Sequence, residues 1–286
     1  MDVECFFDET KLLLCCEAPF EMLRLRSFRV TGRDNDYPLP FMIFPNDSAL
    51  SLARDLPSCA CLEEQTVNNA PLHVPRVWEA LSVACLKLTE LSLSHCHLQP
   101  HSVPGLVMLP SEGCLTSLWI GNSPDIGDGE IAPLFDEPGG IAFGDALRAN
   151  KKLKALELSF LQLWDVLPAG IAIINGVVGH ATLEELQLRF NSVAVEKWST
   201  VGDVLGRLIA VPSVLVFLIL AHCDLSDVGL RPLFQALPGN ASLRLLCVFG
   251  DHEVCTSEFA VEVLDAVRKN TTQTKGFGFW DQKQVS

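Results

Sequence analysis

The chain has 286 residues, of which 49% are hydrophobic and 20% charged, so it can bury a continuous core and is not expected to be disordered. Its formal net charge of −14 makes DNA, RNA and an anionic membrane surface poor partners, because these bind clustered Lys and Arg. The charge is compatible with a basic protein partner, although solubility alone also explains it.

The 11 cysteines lie mostly within apolar runs, as small buried hydrophobes do. The chain opens without a basic and then apolar leader. Its longest apolar stretch, 211–221, is too short to cross a bilayer and contains Pro212 and Ser213. We therefore expect a cytoplasmic protein with reduced thiols and without membrane insertion.

One spacing of apolar residues recurs along the chain and decides its interpretation. The spacing is L-x-x-L-x-L-x-x-C/N-x-L, and it is complete at Leu88, Leu91, Leu93, Cys96 and Leu98. Its starts are Leu88, Leu115, Leu153, Leu183, Leu215 and Leu243. The steps between starts are 27, 38, 30, 32 and 28 residues, so each start is expected to open one supersecondary unit.

Weaker units precede the first complete copy. Leu62 opens one of them, and Leu25, Phe28 and Val30 suggest a degenerate one further upstream. We predict that residues 1–61 form an irregular N-terminal cap, with a possible degenerate repeat. Residues 62–286 are predicted to form the repeat domain with a short C-terminal tail.

Each copy predicts a strand, a turn and a helix. The alternating leucines are typical of a half-buried strand, and the Asn or Cys side chain can satisfy backbone groups in the turn. Helices are predicted over 141–150, 200–209, 226–237 and 256–270. The last of these is expected to place Phe259, Val263, Leu264 and Val267 on one face. The long step after Leu115 holds an insertion, within which 136–140 reads as a surface loop.

The six copies resemble the leucine-rich repeat family, and in particular its ribonuclease-inhibitor-like class with long helical units. The resemblance covers about residues 62–280. It implies an α/β solenoid, a horseshoe with a concave parallel β-sheet and convex helices. It also implies protein–protein recognition as the general role.

The template predicts which side chains face the concave surface. These are Glu64, Thr66, Asn68, Asn69, Glu90, Ser92, Ser94, His95, Ser117, Trp119, Gly121, Asn122, Ala155, Glu157, Ser159, Phe160, Glu185, Gln187, Arg189, Phe190, Phe217, Ile219, Ala221, His222, Leu245, Cys247, Phe249, Gly250, Gly276, Gly278, Trp280 and Asp281. The earlier repeats contribute polar and mildly acidic residues, and the later ones apolar and aromatic residues. The candidate partner-binding residues are Trp119, Phe160, Phe190, Phe217, Ile219, Leu245, Phe249 and Trp280.

Two groups of residues resemble metal ligands. His95, Cys96 and His97 stand close to His101, but the template turns Cys96 inward and the histidines away from one another. Cys59 and Cys61 form a C-x-C pair, which is weaker evidence than paired C-x-x-C motifs. We expect no metal site, no cofactor and no catalytic residues, since the nucleotide-binding and hydrolase motifs are missing.

The resulting prediction is an adaptor or structural subunit of an intracellular assembly, which binds a protein through its concave face. A regulator of an enzyme, either an inhibitor or a GTPase activator, is one alternative. A substrate receptor for ubiquitin ligation is another. An enzyme is the least expected class.

Overall fold

The computed structural model describes, with side chains, residues 78, 87–94, 96, 98–111, 114–122, 133–248 and 256–270. It gives the backbone alone for 2–8, 11–12, 27–32, 64–68, 112 and 276–278. The chain divides into two compact units, which we call unit 1 (Met1–Leu134) and unit 2 (Phe135–Ser286).

Unit 1 is built on parallel strands. They are β1 Asp2–Asp8, β2 Lys11–Leu12, β3 Ser27–Gly32, β4 Glu64–Asn68, β5 Glu90–Ser94 and β6 Ser117–Gly121. Their order is β2-β1-β3-β4-β5-β6, and only the β1–β2 pair is antiparallel. Helix α1, Val103–Glu112, connects β5 to β6. Apart from β1, β2 and β3, the predicted N-terminal cap at 1–61 lies outside the described residues.

Unit 2 alternates strands and helices throughout. Its strands are β7 Ala155–Ser159, β8 Glu185–Gln187, β9 Phe217–Ile219, β10 Leu245–Cys247 and β11 Gly276–Gly278. Its helices are α2 Glu137–Ala149, α3 Leu167–Val177, α4 Trp198–Ala210, α5 Asp227–Ala236 and α6 Ser257–Lys269. Neighbouring strands from β7 to β11 pair in parallel and in chain order. Each helix from α3 to α6 therefore connects one strand of this unit to the next, as in repeat proteins.

The apolar template forms the core. All the described template residues are buried, including Leu156, Leu186, Leu218 and Leu246 at matching positions of successive strands. Since no single repeat can enclose these leucines, neighbouring repeats must stack to bury them. The predicted α/β leucine-rich repeat solenoid is confirmed.

Asparagine and cysteine side chains bind the turns that follow strands β8 and β9. Asn191 is fully buried, and its Oδ1 accepts hydrogen bonds from the Leu161 and Leu163 amides at 3.1 and 3.2 Å. Its Nδ2 donates to the Leu158 and Arg189 carbonyls at 2.7 and 3.1 Å. The Asn191 side chain therefore satisfies backbone groups of its own repeat and of the preceding one.

In the next repeat, a cysteine side chain occupies the equivalent turn position. The thiol of Cys223 donates to the Leu188 carbonyl, at 2.8 Å. Burial raises the pKa of this thiol to about 12, so it stays protonated and keeps the hydrogen bond.

A second set of polar side chains lies where helices end. Asn150, His180, Asn240 and Asn270 are all buried there. Asn240 Oδ1 accepts from the Leu243 amide at 2.7 Å, and its Nδ2 donates to the Ile209 carbonyl at 2.7 Å. His180 replaces Asn in one repeat, with Nδ1 accepting from the Leu183 amide at 3.1 Å. These side chains join the end of one helix to the strand that follows.

Two local predictions are wrong. The segment 136–140, predicted as a surface loop, instead opens helix α2: Asp136 Oδ1 accepts from the Gly139 amide at 2.8 Å. An Asp followed by Glu137 and Pro138 is a helix start, because Pro fits the first turn and the acids match the helix dipole. In α6, Leu264 is 53% exposed, whereas Phe259 and Val263 are buried as expected.

Candidate functional site

Strands β7 to β10 of unit 2 place alternate side chains on the side of the sheet opposite the leucine core. Along β7, Leu156 and Leu158 are buried, while the alternate residues Ala155 and Glu157 are half-exposed. Because successive strand side chains point to opposite faces, the alternate residues share the other side of the sheet. We call this side the open face of unit 2. It consists of Ala155, Glu157, Ser159, Phe160, Glu185, Gln187, Arg189, Phe190, Phe217, Ile219, Ala221, His222, Leu245 and Cys247.

The centre of the open face is apolar. Phe217 is 39% exposed, and Ile219 and Leu245 are half-buried. The strand register places Phe217 directly between Glu185 and Leu245. Opposed residues on adjacent strands lie about 5 Å apart, so Phe217 and Leu245 form one apolar pair.

The neighbouring strands supply polar groups that are largely committed to one another. The Ser159 hydroxyl donates to Glu157 Oε1 at 2.7 Å, and Gln187 Nε2 donates to Glu185 Oε1. Two atoms nearby are buried without any hydrogen-bond partner: Gln187 Oε1 and Arg189 Nε. Polar atoms in that condition are uncommon in folded proteins and carry a free-energy cost.

Three rings stack along the edge where the strands turn. Phe190 lies parallel to Phe160, with centroids 4.1 Å apart, and parallel to His222, with centroids 4.5 Å apart. All three residues have positive φ, at 55°, 56° and 53° for Phe160, Phe190 and His222. Left-handed backbone is costly for residues with a Cβ, so this repeated conformation is maintained by its surroundings.

The surrounding hydrogen bonds explain how the left-handed conformation is maintained. The Phe160 amide donates to the Arg189 carbonyl at 3.2 Å, and the Phe190 amide donates to the Ala221 carbonyl at 2.8 Å. Each turn is thus bonded to the next repeat at the residue that carries the ring. The ring stack is a consequence of the repeat geometry, and it gives the open face an aromatic border.

The predicted site residues fall into three groups. Phe160, Phe190, Phe217, Ile219 and Leu245 all lie on the open face of unit 2. Trp119 is half-buried on β6 of unit 1, beside Ser92 of β5 in the strand register. Phe249 and Trp280 lie outside the described residues, so their roles stay predictions.

Other positions of the predicted face are corrected. Asn122 is only 2% exposed; its Oδ1 accepts from the Leu98 amide at 2.5 Å and its Nδ2 donates to the Leu98 carbonyl at 3.1 Å. Asn122 therefore occupies the buried turn position, one residue earlier than the template places it. Ala221 is 1% exposed and offers almost no surface to a partner.

The candidate metal ligands fall mostly outside the described residues. This applies to Cys59, Cys61, His95 and His97, whereas Cys96 is fully buried and donates to the Ser94 carbonyl at 3.4 Å. In the part of the chain that the structure describes, no group of three or more His, Cys, Asp and Glu residues could hold a metal ion. In unit 2, burial raises the pKa of the Cys247 thiol, and the positive charge of Arg189 partly offsets that effect.

Gln187 and Arg189, which the sequence template also places on this side of the sheet, each carry a buried polar atom without a hydrogen-bond partner. In the sequence they are polar residues on either side of Leu188, whereas the matching residues of the next repeat, Ile219 and Ala221, are apolar. The spacing of residues in the sequence could not show that Gln187 Oε1 and Arg189 Nε lack hydrogen-bond partners. That depends on side-chain conformations, such as the one in which Gln187 Nε2 donates to Glu185.

Comparison with known proteins supports the repeat assignment. The sequence model of a family described as Leucine Rich repeat matches residues 84–101 and 212–234. The first match contains β5 of unit 1, and the second contains β9 of unit 2 and the beginning of α5. Two matches at separate repeats support a leucine-rich repeat protein. No curated protein matches the chain.

Helix lengths also bear on membrane association. The helices of the described residues are too short or too polar to cross a bilayer.

Proposed function

We propose that this chain is a protein–protein interaction module that binds its partner through the open face of unit 2. Leucine-rich repeats generally mediate protein–protein interaction. The observation that carries the proposal is the apolar pair of exposed Phe217 and half-buried Leu245, with Ile219 beside it, at the centre of that face. Exposed apolar groups that lie together are typical of interfaces, and aromatic residues are frequent among the contacts that dominate binding.

The proposed contact surface includes all the candidate partner-binding residues that were predicted from the sequence. Phe160 and Phe190 border the apolar centre through the ring stack. Phe249 and Trp280 extend the same proposal beyond the described strands, and Trp119 is the proposed contact residue of unit 1. Glu157 and Glu185 lie beside the apolar centre and accept hydrogen bonds from Ser159 and Gln187.

The role proposed for the module is that of an adaptor or structural subunit in a cytoplasmic assembly. The proposal includes membership of the ribonuclease-inhibitor-like class, which is supported by the long helices between the strands and by repeats 28–32 residues apart in unit 2. Binding, rather than catalysis, is the proposed activity.

The test is affinity capture with the full chain from a lysate of the cells that naturally make it, followed by mass spectrometry. Wild type is compared with a Phe217→Ser/Leu245→Ser variant. The matched control is Val261→Ser/Leu264→Ser, which removes two exposed apolar side chains from helix α6 instead. Circular dichroism and thermal unfolding verify that all three proteins are folded.

We expect specific partners to be captured by wild type and by the α6 variant, but not by the open-face variant. If the Phe217→Ser/Leu245→Ser variant still captured the same partners, the interface would lie outside the open face. If the α6 variant alone lost them, α6 would be the contact surface instead. The identity of a captured partner would also separate an adaptor from an enzyme regulator or a substrate receptor for ubiquitin ligation.

A further inference from the structure

One row of side chains is buried in three helices of unit 2 and uncovered in a fourth, α6. Helices α2, α3, α5 and α6 can be aligned by the buried polar residues that follow them, which are Asn150, His180, Asn240 and Asn270. The row consists of the residues ten, six and three positions before each polar residue. In and directly after α2, α3 and α5, all members of the row are buried: Gly140, Gly144, Leu147, Gly170, Ile174, Val177, Leu230, Phe234 and Leu237.

In α6 the same row is open to solvent. Ala260 and Leu264 are exposed, Leu264 by 53%, and Val267 is half-buried. Val261, which borders the row, is 66% exposed. Helix α6 therefore presents to solvent a strip of apolar side chains at positions that the other three helices bury.

The row faces the helix that follows in the chain. A Cβ added at Gly144 of α2 would collide with the Ala172 carbonyl of α3. At the same position of α5, Phe234 contacts Phe259 of α6 edge to face, with centroids 5.7 Å apart. The row is thus the surface through which one helix packs against the next.

The opposite side of α6 is the one that contacts α5. Glu262 Oε2 accepts a hydrogen bond from Arg231 Nε of α5 at 2.8 Å. Glu262 and Leu264 are two residues apart, so they point about 160° away from each other around the helix. Leu264 is therefore directed away from α5, towards the place that a following helix would occupy. Among the described residues, α6 is the last helix.

The sheet of unit 2 ends on the same side. In the part of the chain that the structure describes, β11 is the outermost strand and pairs only with β10. Its outer edge carries backbone groups that can pair with another strand. A second copy of this chain has both features, an apolar helix and a strand edge, in the same relative positions. One twofold axis can therefore cover both features of each copy at once.

The charges of α6 favour a second copy that runs antiparallel. Glu258 lies in the first turn of the helix, and Arg268 and Lys269 lie in the last turn. In an antiparallel pair centred on Leu264, the acidic first turn of each helix lies beside the basic last turn of the other. Arg268 is four residues from Leu264 and Glu258 is six, so their levels along the pair differ by about 3 Å. A parallel pair would instead bring the basic turns together.

We propose that two copies of this chain associate through the end of unit 2, with α6 packed antiparallel against α6 of the second copy around Leu264. The apolar row supplies the buried contact, and the charged turns determine the orientation. The interface uses different residues from the open face, so this proposal goes beyond the proposed function and does not depend on it.

Sedimentation velocity of the full chain, from nanomolar to high micromolar concentration, tests the association. Wild type should form a dimer as concentration rises. Leu264→Lys should raise the Kd of the dimer by about tenfold or more, because it places two like charges at the centre of an apolar contact. The matched control is Val228→Lys, which puts the same charge at a 50% exposed apolar residue of α5 and should leave the Kd unchanged. Circular dichroism verifies that each variant is folded.

A charge exchange tests the orientation. Arg268→Glu should weaken the dimer, because the acidic first turn of one copy would then face another acid. Glu258→Arg/Arg268→Glu should restore it, because both charges of the pair are exchanged together. A loss of stability within one copy would not be repaired by the second change, so the rescue is specific to the contact between copies.

Each result bears on the proposal. A chain that stays monomeric at every concentration would overturn it, and so would a dimer that is unaffected by Leu264→Lys. A dimer that is lost with Leu264→Lys but gains nothing from the charge exchange would overturn the antiparallel arrangement. The proposed function is tested separately, since partners of the open face should still be captured by Leu264→Lys.

Discussion

The ring of Phe190 lies flat against the ring of Phe160, with centroids 4.1 Å apart and planes inclined by only 8°. The two residues occupy the same position in successive repeats, and both have left-handed backbone. The stack therefore combines a favourable ring contact with an unfavourable φ angle at each residue.

These opposing contributions can be separated at Phe190. Phe190→Ala removes the ring and keeps a Cβ in the left-handed region, whereas Phe190→Gly removes both. We expect both variants to be less stable than wild type, and the Gly variant to be more stable than the Ala variant by about 1 kcal/mol. Urea unfolding of the full chain measures the difference. The same pair of changes at exposed Glu184, whose φ is not positive, should favour Ala. An Ala variant at Phe190 as stable as the Gly variant would contradict the strain argument.

Asn191 provides a test of the turn network. Replacing it by Ala removes four hydrogen bonds from a buried position and leaves backbone groups of two repeats unpaired. We expect a loss of about 3 kcal/mol or more in the free energy of unfolding, since each unpaired buried group is costly. Asn191→Cys should recover part of it, because Cys223 fills the equivalent position.

The control for Asn191 is its exposed neighbour. Ser192→Ala should change the free energy of unfolding by less than about 0.5 kcal/mol, as most surface substitutions do. A small effect at both positions would show that the turn network contributes little stability.

His180 predicts a pH dependence. Burial lowers its pKa, and the hydrogen bonds fix one neutral tautomer: Nδ1 accepts from the Leu183 amide, so Nε2 donates to the Leu147 carbonyl at 3.1 Å. Protonating Nδ1 would break its bond to the amide. Because the folded pKa is below the unfolded value of 6.5, the unfolded chain binds the proton first. The contribution of neutral His180 to stability is complete above that value and is lost as pH falls towards the lowered folded pKa.

Replacing His180 by Asn tests this dependence, since Asn occupies the equivalent position at Asn150, Asn240 and Asn270. The variant should lose less stability than wild type when urea unfolding is repeated from pH 7.5 down to pH 5. The difference between the two proteins as a function of pH isolates the histidine from the other titrating groups. Parallel curves would show that His180 titrates alike in the folded and unfolded chains.

Close packing of helices α2 and α3 gives a further prediction. A Cβ added at Gly176 would collide with the carbonyl oxygen of Gly144, and one added at Gly144 would collide with the carbonyl of Ala172. We expect Gly176→Ala to destabilise the chain by about 1–3 kcal/mol, because the collision is with backbone and the helices must separate. Gly239→Ala meets no atom within 4 Å and should be neutral or slightly stabilising. Differential scanning calorimetry compares the two, and equal melting temperatures would contradict the packing argument.

The repeat and the core could be predicted from the sequence because they depend on spacing alone. Leu93, Leu158 and Leu220 are buried as the alternation requires. The Asn122 position could not be predicted in this way, because a one-residue shift in the turn leaves the strand pattern unchanged. Phe160 and Phe190 were predicted as face residues, but their stacking depends on backbone torsions that large side chains do not normally favour.

The start of helix α2 could have been predicted. Asp136, Glu137 and Pro138 are strong helix-start signals, but the two glycines that follow favoured a loop interpretation. The sequence could not show that Gln187 Oε1 and Arg189 Nε lack hydrogen-bond partners, because this depends on side-chain conformations such as the one that pairs Gln187 Nε2 with Glu185.

The division of each strand into buried and open positions has a consequence for how such a chain can change over generations. Leu186 and Leu218 specify folding, while Glu185 and Phe217 lie on the opposite side and contribute little to the interior. Mutations at the open positions can therefore accumulate without disturbing the stacking of repeats. A lineage can acquire a new partner one strand at a time, and its scaffold is inherited intact.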